Sequence, residues 1–108
     1  MSREALGTLL ARFGHNVCLA ATLTEGHALL DGQTHLILDL NLPDGPGTEL
    51  LKRVCAEKRP TRVAVVTGER DSPLLHEAQR LMPDTLRRKP VDLDWLVAWL
   101  EHDAMAPA

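Results

Sequence analysis

Apolar residues along this chain alternate between two rhythms: stripes of helical spacing and short unbroken runs bounded by turn residues. Leu6, Leu9, Leu10 and Phe13 repeat at i, i+3, i+4 and i+7, which predicts an amphipathic helix. Gly14 follows, a residue suited to the left-handed position that ends a helix. Val17 to Ala20 reads as a short strand. Thr22 and Glu25 have the spacing of a capping box, opening a second helix that runs to about Asp31-Gly32. Leu36-Ile37-Leu38 is a run of the kind that a sheet buries on both faces, and it ends on Asp39.

Asn41 to Gly47 is dense in turn residues. Leu50, Leu51 and Val54 predict a third helix from Thr48 to about Lys58, closed by Pro60. Val63 to Val66 is a second buried-type strand, ending on Thr67. Asp71 or Ser72 caps a fourth helix with Pro73 just inside it. Thr85 to Arg88 reads as an edge strand, its arginines discouraging stray pairing. After Lys89-Pro90, Asp92 caps a last helix carrying Leu93, Leu96, Val97 and Leu100.

Strands alternating with helices predict an α/β fold, a doubly wound parallel sheet of four strands with five helices. The 108 residues make one domain, 1–108, with a short tail from about residue 103. Twelve Lys and Arg against 15 Asp and Glu leave a net charge of -3, which gives nucleic acid no basic footprint to bind. No apolar run approaches the ~20 residues that a membrane span needs, so no membrane is expected. Cys18 and Cys55 are too few for a disulfide framework, which points to a reduced, cytoplasmic setting. The five histidines are scattered without the spacing of a zinc site and are expected at the surface.

In parallel sheets chemistry gathers beyond the carboxyl ends of the strands, where Asp39, Thr67 and Lys89 all fall. An aspartate there can act as a nucleophile and carry a phosphoryl group as an acyl phosphate. A lysine can neutralise phosphoryl charge, and a hydroxyl can hydrogen-bond a phosphoryl oxygen. Taken singly, Asp39 reads as a turn residue, Thr67 as a strand end and Lys89 as a solvated lysine. Their joint placement on three successive strand ends singles them out.

With these residues in place, the chain resembles the receiver domains of bacterial two-component systems from Arg3 to about Glu101. The likeness rests on Arg3 to Asn16, on Leu36 to Gly47 (above all Asp39-Leu40-Asn41-Leu42-Pro43 with Gly47 beyond), on Val63 to Gly68, and on Lys89-Pro90. It implies a CheY-like, flavodoxin-like fold and a signalling role rather than an enzyme's. On this resemblance Asp39 accepts a phosphoryl group from a histidine kinase or phosphotransfer protein. Thr67 is the switch hydroxyl and Lys89 contacts the phosphoryl group. Mg²⁺ would be held by Asp39 and the backbone carbonyl of Asn41.

Family members open with a buried strand ending in two acidic residues that hold Mg²⁺. Here Met1-Ser2-Arg3 leads straight into the first helix, so Mg²⁺ is expected to bind weakly or not at all. Without that strand the sheet opens a gap, or the strands at Val17 and Leu36 pair directly. A gap leaves edges that invite another chain and a homodimer. Leu86 stands where the family has its switch aromatic. Trp95 and Trp99 lie roughly opposite the core stripe of the last helix; they anchor a partner or dimer surface, or else fold onto neighbouring side chains. Two alternative functions follow: a phosphorylation-independent pseudo-receiver that works by protein interaction, and an aspartate-nucleophile phosphatase, which would want a second aspartate where Asn41 stands.

Overall fold

A computed structural model describes residues 3–68 and 70–105. In chain order the elements are α1 (Arg3–Arg12), α2 (Leu23–Leu29), β1 (His35–Asp39), β2 (Asn41–Leu42), β3 (Gly45–Pro46), α3 (Thr48–Ala56), β4 (Arg62–Thr67), α4 (Pro73–Arg80), β5 (Thr85–Arg88) and α5 (Leu93–Met105). They gather into two compact units, residues 20–89 and residues 1–19 with 90–108.

The 20–89 unit is built on a parallel sheet in the order β1-β4-β5. Its register pairs Asp39 with Val66 and Thr67 with Arg88, so the carboxyl ends of the three strands finish level. β4 is central, and Val63 to Thr67 are all buried. Leu38, Leu40, Leu50, Leu51, Val54, Val63, Val65 and Leu75 form the core, with α3 in contact with both α2 and α4. Each buried leucine or valine contributes roughly 2 kcal/mol of transfer free energy.

Helices α2 and α4 start where side chains satisfy their first N–H groups. Ser72 Oγ accepts from Leu75 N at 3.1 Å, with Pro73 at the first helical position. Thr22 Oγ1 accepts from Glu25 N at 3.1 Å, while the Glu25 carboxylate accepts from Ala21 N at 2.9 Å. The capping box thus closes one residue earlier than expected. α2 ends at Leu29, short of Asp31-Gly32, and Gly32 takes φ +82°. α3 likewise ends at Ala56, and Lys58 turns out of it at φ 51°.

Two sequence expectations differ from the observed sheet. The sheet among the described residues has three strands rather than four, because residues 15–20 take no regular structure. A strand is stabilised by the ladder of a neighbour, and Val17 to Ala20 belong to neither sheet. β1, expected to be buried on both faces, is an outer strand in which Leu38 alone is fully buried.

In the second unit, Leu10, Leu96 and Leu100 are buried. Gly7 is buried too, and a Cβ there would stand 2.9 Å from Leu19 Cδ2, so glycine lets Leu19 close on α1. Phe13, placed on the core stripe by its spacing, is 53% exposed: α1 has ended at Arg12 and the turn to Gly14 swings the ring outward. Asp92 Oδ1 accepts from Asp94 N at 2.9 Å and from Trp95 N at 3.3 Å, capping α5. Helix continues to Met105 through Ala104, a strong helix former, so residues 103–105 are not tail; the rest of the expected tail lies outside the described residues. No helix among the described residues is long and apolar enough to cross a membrane.

Candidate functional site

Parallel pairing brings the three singled-out residues to one end of the sheet. Asp39 is the last residue of β1, Thr67 the last of β4, and Lys89 the first beyond β5. Lys89 Nζ stands 2.6 Å from Asp39 Oδ2, and Lys89 N donates to the Thr67 carbonyl at 2.8 Å. Thr67 is fully buried, whereas the Lys89 and Asp39 side chains are 49% and 33% exposed. At that exposure the ion pair adds only about 0–1 kcal/mol to stability, so its importance is positional.

The second Asp39 oxygen is held as well: Oδ1 accepts from Asn41 N at 3.1 Å. Asn41 begins a two-stranded hairpin in which it pairs with Pro46, and Leu42 pairs with Gly45. Gly47 closes the base of this loop by donating to the Leu40 carbonyl at 2.8 Å. A Cβ on Gly47 would lie 2.1 Å from the Asp39 carbonyl oxygen, so only glycine lets the chain pass there.

The tip of the loop is fixed by a residue that sequence reading did not single out. Asp44 accepts from Leu23 N at 2.6 Å, Thr24 N at 3.0 Å and Thr24 Oγ1 at 2.9 Å. The Leu23 N–H, then that of Thr24, hold its carboxyl below the ordinary 3.8. A signal for it existed. The Thr22 cap satisfies one of the four orphan N–H groups of α2, which left Leu23 and Thr24 in need of acceptors.

Among the described residues, no cluster of carboxylates of the kind a magnesium centre uses gathers at Asp39. The ion asks for octahedral oxygen ligation, usually anchored by carboxylates. Asp39 gives one oxygen to Lys89 and the other to a backbone N–H. Among the described residues no group of three or more His, Cys, Asp or Glu side chains converges anywhere. Trp95 and Trp99, in the other unit, stack with ring centroids 6.2 Å apart and planes at 14°; both rings are half-buried rather than fully exposed.

A parallel sheet with an aspartate and a lysine meeting beyond its carboxyl edge has a counterpart among known families. The model of the response regulator receiver domain matches residues 1–101. The chain belongs to that family. The transcriptional regulatory protein FixJ of Bradyrhizobium diazoefficiens is 34% identical to this receiver domain over an alignment of 104 residues that covers 92% of this chain and 49% of FixJ. A cyclic di-GMP phosphodiesterase of Thermotoga maritima is 28% identical over 102 residues, 94% of this chain and 28% of that protein. The receiver domain therefore spans at most about half the length of either relative. A CheY-like receiver domain protein of Methanospirillum hungatei superposes with a TM-score of 0.81 at 27% identity, covering 93% of this chain and 82% of that one. Receiver domains are signalling domains that work with kinases or phosphotransfer proteins, and the phosphatase alternative is not the family found.

Proposed function

We propose that this receiver domain accepts a phosphoryl group on Asp39 from a phosphohistidine of a histidine kinase or phosphotransfer protein, and signals through partner binding. The observation that carries the reading is the contact of 2.6 Å between Lys89 Nζ and Asp39 Oδ2. In the transfer a carboxylate oxygen of Asp39 forms a bond to phosphorus as the P–N bond of the donor breaks. The bonding pair leaves with the imidazole nitrogen, and Asp39 becomes an acyl phosphate. Negative charge is then spread over the phosphoryl oxygens, and the Lys89 ammonium is already in place to offset it.

The Thr67 hydroxyl, at the neighbouring strand end, serves as the group that responds to the modification. Trp95 and Trp99 are the proposed contact surface for the next protein. Phosphoramidate, which presents a P–N bond, tests the chemistry. Borohydride reduction of an acyl phosphate at Asp39 would leave homoserine in the peptide that spans it. Recovery of unmodified aspartate from folded, treated protein would contradict the reading and leave a domain that works by binding alone.

A further inference from the structure

The loop that follows Asp39 is pinned at three places. Asn41 N reaches the Asp39 carboxylate at the start, Gly47 N reaches the Leu40 carbonyl at the base, and Asp44 reaches α2 at the tip. The first two are local. The third crosses about twenty positions of sequence to a different element. It consists of three hydrogen bonds to one carboxylate, drawn from two backbone N–H groups and a hydroxyl at the positive end of a helix.

Packing repeats the contact. The Cβ position of Gly45 lies 3.0 Å from Leu23 Cδ2, so the hairpin turn rests against the same residue whose N–H Asp44 holds. α2 is itself fixed against α3: a Cβ on Gly26 would stand 2.7 Å from Leu50 Cδ1, and Arg53 donates to the His27 carbonyl at 2.9 Å. The tip of the loop is therefore anchored to a helix that cannot easily shift. A hairpin of two residues per strand has little stability of its own, so such an anchor decides how well it holds its shape.

We infer that Asp44 is a positioning residue: by clamping the β2–β3 hairpin to the start of α2, it keeps the Asn41 N–H on the Asp39 carboxylate and so sets how readily Asp39 reacts. The part about reactivity rests on the phosphoacceptor reading above; the part about the clamp does not. Asp44 touches neither Asp39 nor any reacting atom and acts only through the hairpin.

The test uses three variants of graded severity and two readouts. Thr24→Val removes one donor, Asp44→Asn replaces one of the two carboxylate oxygens with an amide, and Asp44→Ala removes every bond. Amide hydrogen exchange at Asn41 reads the clamp directly, with the β4 amides as a control for global unfolding. The expected result is exchange at Asn41 accelerated in that order, by roughly tenfold or more for Asp44→Ala, while β4 exchange is unchanged. The rate of modification by phosphoramidate should fall in the same order. Unchanged Asn41 exchange in all three variants overturns the clamp. So does a parallel rise in β4 exchange in all three, including the mild Thr24→Val, because the residues would then serve stability alone. Loosened exchange with an unaltered reaction rate overturns the link to reactivity. If wild-type protein is not modified at all, the phosphoacceptor reading and the reactivity link fail together, and the exchange data still decide the clamp.

Discussion

Lys89 sets its ammonium 2.6 Å from Asp39 Oδ2 across fifty positions of sequence, and its backbone N–H holds the Thr67 carbonyl at 2.8 Å. One residue thus ties together the ends of all three strands of the parallel sheet. Removing its charge should affect the reaction far more than the fold. Lys89→Ala is expected to slow modification of Asp39 by roughly two to three orders of magnitude, as loss of a positioned electrostatic group does elsewhere. The melting temperature should barely move, since both side chains are substantially exposed. Lys89→Arg keeps the charge with a different shape and should fall between. Initial rates followed by mass spectrometry, with a thermal melt of each variant, check the claim.

Gly47→Ala puts a methyl group 2.1 Å from the Asp39 carbonyl oxygen, a backbone atom that cannot swing aside. The loop must shift, at a cost typical of overpacking, about 1–3 kcal/mol. Urea denaturation should show that loss, together with slower modification of Asp39. A variant as stable and as reactive as wild type would mean that the close approach does not exist in solution.

Several surface carboxylates are held below their ordinary values. The Lys52 ammonium lowers Glu77, the Arg59 and then the Arg53 guanidinium lower Glu57, and the Leu23 and Thr24 N–H groups lower Asp44. Such groups stabilise the fold above their ordinary values, 4.5 for the glutamates and 3.8 for Asp44. That contribution is lost as pH falls through those values toward the folded ones. Lys52 is raised above 10.5 by Glu77 and then Glu49; its contribution is present below 10.5 and lost as pH climbs past it. Melting temperature should therefore be flat near neutrality and drop below about pH 4.5. Glu77→Gln should blunt the change at both extremes, because it removes one partner of Lys52.

Titration with Mg²⁺ should give no saturable heat in the low-millimolar range, since among the described residues no group of three or more His, Cys, Asp or Glu side chains is there to build an octahedral shell around Asp39. A defined isotherm that disappears in Asp39→Asn would show that another group completes the site.

Much of the unit of residues 20–89 was legible in the sequence because its signals are local. Leu36-Ile37-Leu38 ending on Asp39, Val63 to Val66 ending on Thr67, and Ser72-Pro73 opening α4 each state type and boundary within a few residues. The strand expected at Val17 failed because its apolar pattern says nothing about whether a neighbouring strand is there to pair with. Phe13 failed for a related reason: periodicity extends a stripe, but the helix had already stopped at Arg12. At the site, Asp39 and Lys89 could be matched from motif and strand position. For Asp44 the sequence signalled only that Leu23 and Thr24 needed acceptors; it did not say which residue supplies them, because Asp44 lies about twenty residues away on another element and its side chain looks like any turn aspartate.

Phosphoryl transfer to Asp39 is read most directly from the intact mass of the purified protein after incubation with acetyl phosphate, beside Asp39→Asn treated identically. The wild type is expected to gain one phosphoryl group and the variant none. No gain in a protein shown by circular dichroism to be folded, or an equal gain in both, would contradict transfer to Asp39.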